Sequence, residues 1–183
     1  METNKFVIIE KAAEIIMNTG LEALTIHNLA TELDLKESQI YNQLTKDDDI
    51  LLLLLLGFET DIIEFVRELA RKGVTPETEL ELFFNGLYFL FRQKPYYLSL
   101  IFDKNLKFRD ESIKKSILRI KLVAENYLID VINNGKKQNT FNIKEPSRHL
   151  VNRILSGFRL YMKDEQLLNY MLIELNKLKT IKD

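Results

Sequence analysis

Four polar side chains lie within seven residues, and their functional groups match those that read nucleic-acid bases. They are Lys36, Ser38, Gln39 and Asn42. The amides of Gln and Asn can bond adenine through two hydrogen bonds, and Lys and Ser can bond guanine or a phosphate. Side chains of this kind work together when the N-terminal part of one helix carries them into the major groove. The segments around them therefore decide whether the four residues form a site.

The first 45 residues have the spacing of a helix-turn-helix unit. The first segment carries an apolar stripe at helical spacing, formed by Ile8, Ala12, Ile15 and Ile16. Gly20 ends that helix, and Thr25 is the expected N-cap of a short second helix. A tight turn at residues 34–36 leads to a third segment, residues 38–44. Because the third helix of such a unit enters the major groove, we expect the four polar residues to face the bases.

The following segments are also helical in pattern. Three aspartates at residues 47–49 place negative charge at the start of a long fourth helix, which the helix macrodipole favours. Gly73 ends this helix. Thr75 and Pro76 then form an N-cap and first-turn pair that opens a fifth helix, and Pro95 ends it.

The last part of the chain completes an all-α pattern. A helix at residues 96–103 and a long helix ending at Gly135 are followed by a polar loop at residues 136–145 and two closing helices. Six glycines and three prolines are too few for a turn-rich all-β fold. We therefore predict an all-α fold in which a three-helix helix-turn-helix unit, residues 1–46, is joined to a C-terminal helical bundle, residues 47–183.

Composition and motifs argue against several classes of protein. The chain has 183 residues, 46% of them hydrophobic, and no cysteine for a disulfide or for thiol chemistry. The longest apolar run, residues 50–58, is too short to cross a bilayer, so we expect a cytoplasmic protein without a membrane partner. His27 and His149 have no metal-ligand companions at helical spacing, and no phosphate loop or nucleophile motif is present. We therefore predict no enzymatic activity, no cofactor and no metal site.

The net charge of −1 hides an uneven distribution. Residues 1–56 carry four basic and ten acidic side chains, a net charge of −6, and the first arginine of the chain is Arg67. Since phosphate contacts dominate nonspecific DNA affinity, such a segment attracts a DNA backbone weakly. Residues 104–121 instead carry seven basic and two acidic side chains. This second segment could bind an anionic ligand or an acidic partner, or it could be an ordinary solvated helix face.

The N-terminal pattern resembles that of TetR-type transcriptional regulators. The matching positions are Ile8, Ala12, Ala13, Gly20, Thr25, Leu29, Ala30, Leu35, Ile40, Tyr41, Leu44, Ile50 and Leu51. Beyond about residue 55 the layout also agrees, with a helix break at Lys94-Pro95-Tyr96 and a closing pair of helices. The resemblance implies a homodimer that binds a palindromic operator in double-stranded DNA. It also implies a C-terminal domain for a small-molecule effector that releases the repressor from its operator.

The resemblance assigns DNA contacts to the second and third helices and to the start of the fourth. The residues at those positions are Thr25, His27, Lys36, Ser38, Gln39, Tyr41, Asn42 and Lys46. Asp34 replaces a turn glycine of the family, which Asp tolerates because it adopts left-handed backbone more easily than most residues. Asp47 replaces a phosphate-contacting lysine. The alternative is a TetR-like helical protein that binds a ligand or a partner and has lost DNA binding.

Two further surfaces are expected in the C-terminal region. An aromatic pocket between helices would bury the effector against Phe84, Tyr88, Phe91, Tyr97, Phe102 and Tyr127. A two-fold interface of four helices would use the apolar sides of the closing helices, at Ile154, Phe158, Tyr161, Leu168, Met171 and Leu175. Ser156 and Gly157 would allow close helix approach there. In both places ordinary core packing is the alternative.

Overall fold

A computed structural model describes residues 4–179 and confirms the predicted all-α fold class. The helices are α1 (Lys5–Thr19), α2 (Ile26–Glu32), α3 (Glu37–Tyr41), α4 (Asp47–Arg71), α5 (Pro76–Gln93), α6 (Tyr96–Phe102), α7 (Glu111–Lys137), α8 (Ser147–Ser156), α9 (Phe158–Tyr161) and α10 (Glu165–Asn176). Two short 3₁₀ turns lie at Leu21–Ala23 and Leu106–Phe108. Within the described range, no helix is both long enough and apolar enough to cross a membrane.

The N-terminal helices begin and end close to where local chemistry predicts, except that α3 covers Glu37–Tyr41 and is shorter than the expected segment 38–44. The Asn4 side chain accepts a hydrogen bond from the Phe6 N–H and caps α1, and Gly20, with φ of 94°, ends it. Thr25 caps α2 by accepting from the Asn28 N–H at 3.1 Å. Between α2 and α3 the chain turns at Asp34, whose φ of 52° is the left-handed conformation expected there.

The long helices α4 and α5 also match their sequence signals. The Asp49 carboxylate accepts hydrogen bonds from the backbone N–H and the hydroxyl of Thr45, which fixes the first turn of α4. Gly73, with φ of 61°, follows the end of α4. The carbonyl of Thr75 accepts from the Glu79 N–H at 2.8 Å at the start of α5. Local rules therefore account for the boundaries of this segment.

Two boundaries near glycines differ from the sequence-based expectation. Helix α7 continues past Gly135, where a Cβ atom would lie 2.1 Å from the ring of Phe141, so this glycine admits an aromatic ring and does not end the helix. The first closing helix is broken at Gly157, and α9 follows as a separate short helix. A Cβ on Gly157 would lie 2.5 Å from the ring of Tyr161, so this glycine makes room for a ring of its own chain.

The chain forms two compact packing units. The first packing unit contains the residues up to Thr60 together with Lys94–Ile120. The second packing unit contains Asp61–Gln93 together with the residues from Lys121 onward. Helices α4 and α7 each contribute residues to both units. The domain boundary expected after residue 46 therefore stays a prediction, because the first unit also includes segments outside the helix-turn-helix.

Each packing unit has its own apolar core. In the first, completely or almost completely buried side chains come from α1 to α4 and α6, among them Ile8, Leu29, Ile40, Leu51, Phe58 and Leu100. In the second they come from α5, α7, α8 and α10, among them Phe83, Phe84, Leu87, Leu128, Val151 and Leu168. These cores hold rigidly the helices that present the polar residues discussed next.

Candidate nucleic-acid interface

Helix α3 presents a polar surface on a buried anchor. Ile40 is completely buried and holds the helix against α2. On the other side of α3 and at its ends, Lys36, Ser38, Tyr41 and Asn42 are exposed, with Tyr41 retaining 48% of its accessible surface. Exposed donors and acceptors around one buried residue are what a recognition helix needs to contact bases without unfolding.

Gln39 has a structural role that its sequence position does not reveal. Its side-chain oxygen accepts a hydrogen bond from the backbone N–H of Lys36 at 3.0 Å, which caps the start of α3. Lys36 itself cannot complete a reciprocal cap, because an ammonium group accepts no hydrogen bond. The side-chain oxygen of Gln39 is therefore engaged within the helix, and its NH₂ group is the part that could reach a base.

A contact between a histidine and a carboxylate joins α2 to α3 on the exposed surface. The Nδ1 atom of His27 lies 2.7 Å from a carboxylate oxygen of Glu37. Glu37 was not among the expected site residues, although an acidic residue in the first turn of a recognition helix can accept a hydrogen bond from cytosine. Since the two residues are ten positions apart on different helices, only the tertiary structure shows that they meet.

A hydrogen bond joins the start of α2 to the start of α4. The Asp47 carboxylate accepts a hydrogen bond from the backbone N–H of Ile26 at 2.7 Å, next to the Thr25 cap. The sequence explained Asp47 only by the dipole of its own helix. Its carboxylate also satisfies the amino terminus of α2, where an anion is favoured.

Lys46 is held by a residue far away in sequence. Its ammonium group donates to a carboxylate oxygen of Asp110 at 2.9 Å, and the second carboxylate oxygen accepts from the Ser112 N–H at the start of α7. The hydrogen bond from Lys46 and the one from Ser112 lower the pKa of Asp110 to about 2. The same contact raises the pKa of Lys46. The side chain expected to contact phosphate therefore already has an anionic partner.

Three of the aromatic residues expected to line a pocket pack against other rings of the second packing unit, namely Phe84, Phe91 and Tyr127. In the second packing unit, Phe84 and Phe91 are buried, and Tyr88 and Tyr127 are half-buried. The Tyr127 hydroxyl donates to Glu79 at 2.5 Å. Burial, together with this hydrogen bond, raises the pKa of Tyr127 above its ordinary value.

Two of the expected pocket residues belong to the first packing unit. Tyr97 is buried and stacks on Phe58, with ring centroids 4.0 Å apart, and Phe102 is half-buried. A pocket shared by all six aromatic residues stays a prediction.

The closing helices expose apolar side chains other than those expected at a dimer interface. Five of the expected interface residues are buried within the chain itself, namely Ile154, Phe158, Leu168, Met171 and Leu175, and Tyr161 is half-buried. The exposed apolar side chains on this part of the chain are Leu160, Leu167, Tyr170 and Ile173. An open groove of about 510 Å³ runs beside them and is lined in part by Leu150, Tyr170 and Met171. The interface residues themselves stay a prediction.

Neither the sequence nor the described part of the structure provides a set of metal ligands. Among residues 4–179, no three His, Asp or Glu side chains are grouped so that they could hold a metal ion. The polar residues around α3 instead form an exposed surface of hydrogen-bond donors and acceptors, carried by short helices on a buried core.

The chain has the fold of TetR-family transcriptional regulators. A TetR-family regulator from Agrobacterium tumefaciens aligns with a TM-score of 0.82 and 11% identity over 96% of this chain and 97% of that protein. The MbdR regulator from Azoarcus sp. CIB aligns with a TM-score of 0.78 and 22% identity over 96% and 98%. A regulator from Saccharomonospora viridis, solved in complex with choline, aligns with a TM-score of 0.78 and 16% identity over 94% and 93%. No protein-family model and no curated protein matches the sequence.

Proposed function

We propose that the protein is a dimeric transcriptional repressor that binds a palindromic operator and is released by a small-molecule effector. The observation that carries the proposal is α3, which exposes Ser38, Tyr41 and Asn42 around a fully buried Ile40 in a fold shared with transcriptional regulators. In this fold two copies of α3 would enter successive major grooves about one helical turn apart.

The residues divide into base contacts and backbone contacts. Ser38 and Asn42 are exposed and carry groups that pair with base edges, joined by the amide NH₂ of Gln39. Lys36 and Tyr41 are exposed beside them and suit phosphate contacts. Thr25 and His27 are occupied by the α2 cap and by Glu37, so they would act by fixing α2 against the DNA backbone.

Effector binding would act by changing the separation of the two α3 helices in the dimer. A small molecule that binds one dimer geometry better than the other shifts the population towards that geometry. The aromatic side chains of α5 and α7 suit an apolar effector, with Tyr88 and Tyr127 as polar contacts. The choline bound to the regulator from Saccharomonospora viridis supports a small-molecule site in proteins of this fold.

One observation favours the alternative, a protein of this fold that no longer binds DNA. The carboxylates of Asp110 and Asp47 engage Lys46 and the first N–H of α2, two groups that could otherwise meet phosphates. Under the main proposal, operator phosphates displace Asp110 from Lys46, because both partners of that pair are partly exposed.

Fluorescence anisotropy with duplexes from DNA upstream of the protein's own coding region tests the proposal. We expect one fragment to be preferred at about 50 mM salt, and its affinity to fall steeply by about 200 mM. Asn42→Ala should reduce discrimination between fragments by about 1–3 kcal/mol, whereas Lys46→Ala should weaken all fragments alike. Asn134→Ala, an exposed asparagine on α7, is the matched control. Equal affinity of the wild type for every fragment would leave the alternative.

Light scattering after size exclusion tests the dimer. Tyr170→Glu places a charge on an exposed apolar position of α10 and should convert the dimer to a monomer. Leu118→Glu makes the same change at an exposed position of α7 and should leave the dimer intact. A wild type that is monomeric at high concentration would contradict a two-fold operator complex.

A further inference from the structure

The helix-turn-helix has too little positive charge of its own to hold a DNA backbone. Residues 1–46 carry four basic and seven acidic side chains, a net charge of −3, and residues 47–60 add four acidic side chains and no basic one. Of the four lysines, Lys11 is paired with Glu14 and Lys46 with Asp110. Since backbone affinity comes from cations that neutralise phosphates, a DNA-binding protein with this segment needs cations from elsewhere.

Such cations lie in the same packing unit, on the second stretch of chain that belongs to it, from the residues before α6 to the first part of α7. Lys94–Ile120 carries seven basic and three acidic side chains, a net charge of +4. Its turn between α6 and α7, residues 103–110, is tied to the helix-turn-helix at two points. Arg109 donates to Glu22 at 2.7 Å, and Asp110 accepts from Lys46 at 2.9 Å.

These two tie points lie beside the helix starts that flank α3. Glu22 is three residues before Thr25, the N-cap of α2, and Lys46 directly precedes α4. In helix-turn-helix proteins the helix before the recognition helix crosses the DNA backbone. A DNA backbone that crosses the start of α2 would therefore pass close to this turn, beside the half-site that α3 would read.

The turn holds two lysines outward on a fixed backbone. The Asp103 carboxylate accepts from the N–H groups of Asn105 and Leu106, and the Leu106 side chain is 1% exposed. Lys104 and Lys107 are exposed, and neither has a carboxylate partner within residues 4–179. The Lys107 ammonium lies 4.8 Å from the ring centroid of Phe108, which is 79% exposed.

Lys107 is within reach of a strand that passes Lys46, and Lys104, six residues before Asp110, lies at most about 22 Å from it. The Cα atoms of Lys107 and Asp110 are three residues apart, so at most about 11 Å separates them. One DNA strand presents a phosphate about every 3.4 Å along the helix axis. If a phosphate of a DNA strand replaces Asp110 as the partner of Lys46, neighbouring phosphates of the same strand therefore come near Lys107.

We propose that Lys104 and Lys107 form a second contact surface for the DNA sugar–phosphate backbone, outside the half-site read by α3. The inference rests on the proposed function, since it supplies the backbone contacts that the acidic helix-turn-helix lacks. The surface adds affinity without base preference, because phosphate contacts carry no sequence information. Double-stranded DNA is the partner that the position of the turn beside α2 and α4 favours.

The test compares two double variants of the full chain with equal change in net charge. Lys104→Gln with Lys107→Gln removes the proposed contacts, and Lys144→Gln with Lys163→Gln removes two exposed lysines of the second packing unit. Affinity for the preferred duplex and for a scrambled duplex is measured against salt. The slope of log affinity against log salt is negative, and the first variant should make it less steep by about 2 for each bound protomer, at about 0.9 for each lost contact.

Three further outcomes complete the test. An unchanged ratio of affinities for the preferred and scrambled duplexes, together with a wild-type slope for the control variant, supports a backbone surface. A wild-type slope for Lys104→Gln with Lys107→Gln, while the wild type still prefers its duplex, overturns the inference and leaves the proposed function intact. If the wild type prefers no duplex at all, the proposed function fails and this inference fails with it.

Discussion

The contacts inside the first packing unit differ in emphasis from the contacts inside the second. In the first, the joints between helices are bonded by polar groups at the surface, as in Asp47 with the Ile26 N–H and Lys46 with Asp110. In the second, aromatic rings pack on one another or over a glycine, as Phe65 does over Gly86. Neither kind of contact is exclusive to one unit: the first also has ring packing, in Phe58 on Tyr97, and the second also has an exposed ion pair between α8 and α7, Arg148 with Glu125.

This difference suits the two proposed tasks. Exposed ion pairs contribute little free energy each, so a phosphate can replace a carboxylate partner at small cost. Packed aromatic rings exclude water and resist displacement from one another. A ring cluster that an effector pushes would therefore move as one body. The contrast predicts that loss of surface charge and acid pH act mainly on the first unit, whereas loss of buried volume and alkaline pH act on the second.

The largest effect should come from Phe83→Ala in the second packing unit. Phe83 is completely buried and contacts the rings of Phe65, Phe84 and Tyr127, so its removal leaves a cavity among them. We expect a loss of about 3–5 kcal/mol in the free energy of unfolding, measured by urea denaturation. Phe89→Ala on the same helix, at a 63% exposed position, should change it by less than about 0.5 kcal/mol. Equal losses in both variants would show that the buried ring cluster is not what stabilises the second unit.

The next largest effect should come from Tyr127→Phe. The variant keeps the ring stacked on Phe83 and removes the hydroxyl that donates to Glu79. A lost hydrogen bond to a charged group should cost about 1.5–3 kcal/mol of unfolding free energy. Tyr41→Phe, at a tyrosine that is 48% exposed and lies outside the proposed dimer interface, is the control in the absence of DNA.

Alkaline pH gives a second measurement for Tyr127. Because the folded pKa of this phenol is raised above the unfolded value of 10.0, its contribution to stability is complete below pH 10 and is lost as pH rises above it. Wild-type protein should therefore lose stability above pH 10 more steeply than Tyr127→Phe. Parallel pH profiles for the two proteins would show that the buried hydroxyl is not responsible.

A smaller effect should be the same in both units, because it depends on backbone conformation alone. Asp34 and Asn139 have φ angles of 52° and 56°, where side chains other than those of Asp, Asn and Gly are strained. At each position the Gly variant should be more stable than the Ala variant by about 1 kcal/mol in thermal unfolding. At Glu10, an exposed residue inside α1, the order should reverse. A reversed order at Asp34 would mean that the turn changes conformation in the variant.

The smallest effect on stability should come from Asp110→Asn, which sharpens the contrast through pH. The Asn oxygen can still accept from the Ser112 N–H, so only the charge opposite Lys46 is lost. Since the folded pKa of Asp110 is about 2, below its ordinary 3.8, its stabilisation is present above pH 3.8 and is lost as pH falls towards 2. Wild type and variant should therefore converge in stability at acid pH.

The same variant has a readout in DNA binding. Release of Lys46 from Asp110 should raise the affinity for all duplexes alike, and Glu22→Gln, which removes the partner of Arg109, tests whether any lost carboxylate in this region does the same. A fall in affinity for Asp110→Asn would show that Asp110 positions Lys46 for the phosphate and does not compete with it.

The features of the fold that could be predicted from the sequence are those that depend on residues close together in the chain. The caps at Thr25 and Thr75, the turn at Asp34 and the end of α4 at Gly73 all involve residues within a few positions of each other. The prediction failed at Gly135, which was expected to end α7, because the ring of Phe141 uses that position through a contact that the helical pattern does not contain.

The candidate site was predictable in part for the same reason. The exposure of Ser38 and Asn42 follows from the helical period, which turns Ile40 inward. The pairing of Lys46 with Asp110, 64 residues later, does not follow from any local pattern.

By itself, the amino-acid sequence determined the helical pattern, the ends fixed by caps and turns, and the side of α3 that stays polar, because capping, backbone strain and periodicity act over one or two turns. It did not determine the chain's course at Gly135 and Gly157, where rings from other positions occupy the space. The tertiary structure alone decided which charges meet and which apolar side chains remain outside, as with Lys46 beside Asp110 and Tyr170 on the exposed side of α10. Those outcomes depend on packing between distant segments, and the same side chains are compatible with many other pairings until the core places the helices.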